Sequence, residues 1–105
     1  MAIANELTIE KQQNGAELTL ALIGRLDTLT APELEATLKE SLEGVTSLTF
    51  DVSRLDYVSS AGLRVFLMAQ KTMNRLGTMK ILHPTEDVYE IFDVTGFTDI
   101  FTIEQ

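Results

Sequence analysis

Ser59 and Ser60 stand side by side in Asp51-Val-Ser-Arg-Leu-Asp-Tyr-Val-Ser-Ser-Ala-Gly-Leu63, the chain's most unusual grouping of hydroxyls, carboxylates and glycine. A β-rich run gives way there to a helical one, so Ser59 or Ser60 is placed to accept a backbone N–H at a helix start. Capping is one use of such a hydroxyl. Carrying a phosphate is another, because free N–H groups and the positive end of the helix dipole stabilise added negative charge. Gly62 lowers helix propensity in the first turn, which implies close backbone approach or clearance for a partner. Hydrolytic chemistry fits poorly. A nucleophile elbow needs Gly-x-Ser-x-Gly, yet Val58 stands two residues before Ser60 and Tyr57 two before Ser59. His83 is the single histidine, precedes Pro84 and reads as a loop residue rather than a base. Asp51 and Asp56 bracket an expected loop and could bind a cation, although turn formation is the commoner use of such residues. Gly-rich phosphate loops of the G-x-G or Gly-Lys-Ser/Thr type are absent. No composed active site emerges, and the chain is not read as an enzyme.

Composition narrows the field further. The 105 residues suit one hydrophobic core, and 45% apolar with 23% charged residues is ordinary globular usage. Zero cysteines exclude a disulfide scaffold, a Cys-based metal site and thiol catalysis; no cofactor or metal is implied. The longest apolar run, Val65 to Ala69, falls far short of the roughly 20 residues a membrane helix needs. The opening MAIANELTIEK lacks a basic start and a long apolar stretch, so a cytosolic protein is expected. A net charge of −8 argues against nucleic-acid binding, which depends on neutralising phosphates with Lys and Arg. The charge is unevenly placed. Residues 57–80 carry no acid but contain Arg64, Lys71, Arg75 and Lys80, whereas both flanks are strongly acidic. Such a segment is either a partner surface or a helix neutralised by its neighbours.

The elements that must position the two serines follow from periodicity. Ile3 to Gln12 alternates as a strand, Asn14-Gly15 signals a tight turn, and Glu17 to Ile23 returns as its antiparallel partner before Gly24 breaks it. Thr30-Ala-Pro-Glu33 reads as a capping box opening a helix over 31–43, with Leu34, Leu38 and Leu42 on one face. Val45 to Val52 is a buried strand, followed by a turn and a second helix over 60–76 that ends at Gly77 as a C′ residue. On that helix Leu63, Phe66, Leu67 and Met73 face the sheet, while Arg64, Met68, Lys71 and Arg75 share the opposite stripe. Met68 there is either an ordinary exposed residue or an adaptable contact. Met79 to Leu82 makes a short strand, Thr85 opens a third helix over about 86–95 stopped by Gly96, and Phe101 to Ile103 adds an edge strand. The order predicts an α/β fold, with a mixed sheet of four to five strands and three to four helices.

Leu55-Asp-Tyr-Val-Ser-Ser-Ala-Gly-Leu63, with Gly24-Arg-Leu-Asp-Thr-Leu-Thr-Ala-Pro-Glu-Leu34 before it and Phe92-Asp-Val-Thr-Gly-Phe97 after it, resembles the STAS domain of bacterial anti-sigma factor antagonists. The blocks lie in the family's order and spacing, so the resemblance implies a single STAS-like domain over residues 1–105. It implies a cytosolic, monomeric partner switch. Unphosphorylated, such a protein binds an anti-sigma factor that is also a serine kinase and so frees a sigma factor. The kinase inactivates it with ATP, and a PP2C-type phosphatase resets it. The family's acceptor lies two residues before the Gly-Leu pair, which places it on Ser60, with Ser59 as runner-up. With the helix stripe read above, the candidate partner surface comprises Asp27, Ser59, Ser60, Ala61, Gly62, Arg64 and Met68. This chain departs from the well-known Asp-Ser-Ser-Gly-Leu motif, since Ser59 replaces the acid and Ala61 the second serine. The alternative is a STAS-like accessory subunit of a lipid-transport or sensory complex, in which Ser60 is only a cap. A small hydrolase using Ser60 and His83 is a third, less favoured reading.

Overall fold

The turn at Asn14-Gly15 closes an antiparallel hairpin between β1 (Leu7–Asn14) and β2 (Glu17–Leu26), with Asn14 paired to Glu17. The computed structural model describes residues 6–105, so the Ile3 to Asn5 part of the expected first strand lies outside the described residues. The chain continues through α1 (Ala31–Ser41), β3 (Ser47–Val58), α2 (Ser60–Leu76), β4 (Thr78–Leu82), α3 (Glu86–Val94), a 3-10 turn at Phe97–Asp99 and β5 (Ile103–Glu104). The five strands form one sheet in sequence order, antiparallel at β1–β2 and parallel at every later pair. Parallel neighbours need long crossovers, and the three α-helices supply them.

One face of the sheet makes the core. Leu18, Leu20 and Leu22 of β2 and Leu48, Phe50 and Val52 of β3 are buried, alternating with only partly buried residues such as Thr19 and Thr49. Leu34 and Leu38 from α1, Leu63, Phe66 and Met73 from α2, and Val88 and Phe92 from α3 join the same apolar cluster. Phe66 sits at its centre, edge-on to Phe50 at 4.9 Å and to Phe92 at 5.8 Å between ring centroids.

Four expectations need correction. Gly24 does not break β2: at φ +107° it sits where a Cβ would collide with the Glu6 carbonyl oxygen, and the strand continues to Leu26. β3 does not stop at Val52. It runs six residues further, because register shifts between Ala21 and Ile23 and between Gly24 and Arg25 let Leu55 and Val58 return to the buried face. The 53–58 segment is therefore strand, not turn, and Asp51 and Asp56 both lie on β3. Thr30 is not a side-chain cap of α1. Its hydroxyl donates to the Arg25 carbonyl at 2.8 Å and accepts from the Asp27 N–H at 2.9 Å, so the capping box with Glu33 does not form. Gly77 follows α2 with an extended backbone rather than a left-handed one; a Cβ there would strike the Thr46 carbonyl.

Candidate functional site

The end of β3 sets the position of the two serines. Val58 pairs with Leu26 at the end of β2, and the Ser59 N–H donates to the Leu26 carbonyl at 2.8 Å. The chain then turns into α2. Ser59 has an extended backbone and its Oγ accepts from the Gly62 N–H at 3.3 Å, making it the N-cap. Ser and Asp are near-equivalent caps, so Ser59 does here without charge what a carboxylate would do with it. Ser60 is the first helical residue and is exposed. Among the described residues its hydroxyl has no hydrogen-bond partner. The N–H groups of Ser60 and Ala61 point out of the first turn, likewise without acceptors.

Gly62 is buried. A Cβ on it would lie 2.7 Å from Leu26 Cγ and 3.0 Å from the Leu26 carbonyl oxygen, so close packing on the end of β2 accounts for the glycine. Clearance for a partner is not needed to explain it.

The loop from β2 to α1 lies beside this helix start, because Leu26 touches both. Asp27 orders the loop: its Oδ1 accepts from the Leu29 N–H at 3.0 Å and from the Thr30 N–H at 3.1 Å. Burial pushes the Asp27 carboxyl up, but the Thr30 and Leu29 N–H groups, the Thr30 hydroxyl and the Arg25 charge outweigh it and hold the pKa below the ordinary aspartate range. Arg25 lies 4.4 Å above the Tyr57 ring, and its Nε is 3.9 Å from Asp27 Oδ2. At the loop tip Leu29 is 80% exposed. Sequence patterning gave no reason to single it out, since Leu29 follows the end of one period and precedes the start of the next.

Ala61 and Met68 are half-buried, and with Arg64 they line one side of a groove between α1 and α2; Thr28, Pro32 and Glu35 line the other. Met68 is thus packed against the core rather than standing free on the solvent stripe. Arg64, Lys71 and Arg75 are exposed as their spacing predicts.

The remaining candidates are dispersed. Leu82 pairs with Asp51, so His83 sits beside the middle of β3, whereas Ser60 follows the far end of that strand. At roughly 3.3 Å per residue the two are on the order of 20 Å apart, and no Ser-His pair forms. The Asp51 carboxyl is lowered by the Ser53 N–H, against burial, with smaller help from the Ser53 hydroxyl, His83 and Arg54. That is local turn-type bonding on a strand. No group of three or more potential metal ligands occurs among the described residues, and no helix there is long and apolar enough to cross a membrane.

Comparison with known proteins bears on the same region. The STAS domain family matches residues 8–105. BtrV of Bordetella bronchiseptica, named as a candidate anti-sigma factor antagonist, is 35% identical over 88 residues, covering 82% of this chain and 76% of its own. The anti-sigma-B factor antagonist of Bacillus subtilis is 28% identical over 98 residues, covering 92% of this chain and 90% of its own. In fold, the chain is similar to an anti-sigma factor antagonist from Mycobacterium paratuberculosis, with a TM-score of 0.88 at 16% identity over 99% of this chain and 90% of that one. It is also similar to the phosphorylated form of the Bacillus cell fate determinant SpoIIAA, with a TM-score of 0.72 at 17% identity over 95% and 92% of the two chains. A fold match over nearly the whole length and relatives carrying one name lead to a single assignment: the chain belongs to the STAS domain family, among relatives named anti-sigma factor antagonists.

Proposed function

We propose that this protein is a cytoplasmic, non-enzymatic partner switch controlled by phosphorylation of Ser60. Unphosphorylated, it binds an anti-sigma factor that is also a serine kinase, and a sigma factor is released. The observation that carries the reading is the division of labour between neighbouring hydroxyls: Ser59 is consumed as the cap, while Ser60 is exposed with no partner. A kinase can therefore take the Ser60 hydroxyl without dismantling the helix start. In that step Ser60 Oγ attacks the γ-phosphorus of ATP, the bond to ADP breaks, and the hydroxyl proton passes to a base of the kinase. A PP2C-type phosphatase returns the phosphate to water.

The switch has a physical basis. The product carries about −1.5 to −2 charges at pH 7. Beside the free N–H groups of the first turn that charge is tolerated, so the fold persists. In a protein interface the same dianion must be desolvated or matched, and a loss of about 3 kcal/mol weakens binding roughly a hundredfold. The proposed surface comprises Asp27, Ser59, Ser60, Ala61, Arg64 and Met68, with Leu29 added as an apolar anchor and Gly62 as the packing residue beneath.

The test is incubation with ATP and the anti-sigma factor kinase, mass spectrometry to locate the phosphate, and binding measured before and after. A phosphate on Ser60 and a matching loss of affinity are expected. Ser60→Ala should bind yet resist ATP, and Ser60→Asp, with a single charge, should bind more weakly than the unmodified chain and more tightly than the phosphorylated one. If no phosphate appears on either serine and Ser60→Asp binds like the unmodified chain, the protein is instead a constitutive binding subunit.

A further inference from the structure

We infer that the solvent face of α2 docks an acidic segment of a partner protein, and that a phosphate on Ser60 withdraws this face by pairing with Arg64.

Ser60, Arg64, Met68, Lys71 and Arg75 follow one another at spacings of three or four residues, which stacks them along one side of the helix. α2 contains no acidic residue, although the chain carries a net charge of −8. Elsewhere Lys39 meets Glu35 at 3.1 Å, Arg54 meets Glu10 at 3.0 Å, Arg25 lies over Tyr57 and Lys11 donates to Ser41 Oγ at 3.0 Å, while Lys80 stands alone on β4 and belongs to no cluster. Among the described residues Arg64, Lys71 and Arg75 form no ion pair. The stripe is therefore not held in close ion pairs; Glu35, across the groove from Arg64, pairs with Lys39 instead. Between these cations Leu67, Met68 and Thr72 floor a shallow groove of about 410 Å³. Cations at the rim and a thioether at the floor suit a helix or strand that presents carboxylates around an apolar ridge.

Charge decides the occupant. Three cations on a protein of −8 are too few for the phosphate-neutralising footprint of a nucleic-acid binder. A second copy is disfavoured too, since joining α2 of one copy to the acidic α3 of another is a head-to-tail contact that does not close, between two molecules that repel overall.

The coupling to Ser60 rests on the proposed phosphorylation. Ser60 and Arg64 are an i,i+4 pair, so a phosphate on the first lies one turn from the guanidinium of the second. It would both satisfy Arg64 and repel incoming carboxylates. Phosphorylation then removes the first cation of the stripe as well as adding charge at the helix start.

The probe is a synthetic amphipathic helical peptide with glutamates on one face and leucines on the other, titrated into 15N-labelled protein. A peptide with Gln for every Glu is the control. Shifts confined to residues 60–76, with affinity falling as salt rises, are expected. Arg64→Glu combined with Lys71→Glu should weaken binding about tenfold or more, with unchanged circular dichroism, and Arg64→Gln should do so in part. Ser60→Asp should weaken the peptide about twofold in the parent chain and measurably less in Arg64→Gln, where only the direct repulsion remains. Equal binding of the Gln peptide, shifts away from α2, or indifference to the charge reversals would overturn the docking surface. So would tighter binding of a DNA duplex or phosphatidylglycerol vesicles, or self-association abolished by the same reversals. An equal effect of Ser60→Asp in Arg64→Gln would overturn the coupling. If the stripe maps as expected but the kinase never phosphorylates Ser60, the switch fails while the docking surface stands.

Discussion

Truncating Ser59 and truncating Ser60 should have different costs, although the two are adjacent. Ser59→Ala removes the cap and should lower stability toward the lower end of about 0.5–2 kcal/mol, given its 3.3 Å bond; Ser60→Ala should leave the unfolding midpoint nearly unchanged. Denaturant melts of the two variants check this, and a larger cost at Ser60 would reassign the cap. Asp27 supplies a second test at this scale. Its folded-state pKa lies below the ordinary aspartate value, so the unfolded chain takes up the proton first. The stability it contributes is fully present above about pH 4 and is lost as pH falls through the folded value. Asp27→Asn keeps an oxygen for the Leu29 and Thr30 N–H groups but cannot titrate. Its melting temperature should fall below the parent's at pH 7, with the gap closing as the solution is acidified below about pH 4. A gap independent of pH would show that the charge of Asp27 contributes nothing.

At the scale of elements, the long β3 and the close seat of α2 make separable predictions. If 53–58 were a loop, Leu55→Ala would fall within the small range of surface changes. As a strand with a fully buried Leu55, it should cost about 2–5 kcal/mol by chemical denaturation. Gly62→Ala sets helix propensity against packing. Propensity favours alanine by about 1 kcal/mol, but the new methyl would meet Leu26 Cγ and the Leu26 carbonyl, and overpacking of this kind costs about 1–3 kcal/mol. Net destabilisation is expected. The smaller side chain in Leu26→Val should cost less in the Gly62→Ala background than in the parent. Additive costs would mean that the two residues do not touch.

For the whole molecule, Phe66 is the residue through which the layers are joined. Its ring meets Phe50 from β3, Phe92 from α3 and Phe101, the last at 6.1 Å. Phe66→Ala should cost about 3–5 kcal/mol, a large share of the roughly 5–15 kcal/mol that holds a domain of this kind together. Because β3, α2 and α3 share one cluster, the variant should still unfold in a single transition seen alike by far-ultraviolet circular dichroism and by tyrosine fluorescence. Separate transitions would mean that α3 is held independently.

Element order, helix identity and the location of the serine pair were legible in the sequence, because each rests on local chemistry. Asn14-Gly15 makes its own turn, and Thr85 accepts from the Val88 N–H as its position predicts. The spacing of Leu34 and Leu38 marks the buried face of α1 wherever the helix packs. Other features belong to pairs of segments distant in sequence. The length of β3 depends on two register shifts against β2, which change its buried spacing from two residues to three and erase the alternation that marks a strand. Thr30 is drawn from its expected cap by the Arg25 carbonyl and the Asp27 N–H, and Gly62 is glycine because of Leu26. Which hydroxyl caps α2 turned on where β3 ends, and β3 ends where Val58 meets Leu26. Local sequence carries turns and periods; the free hydroxyl of Ser60 follows from a strand pairing that only the folded chain brings into contact.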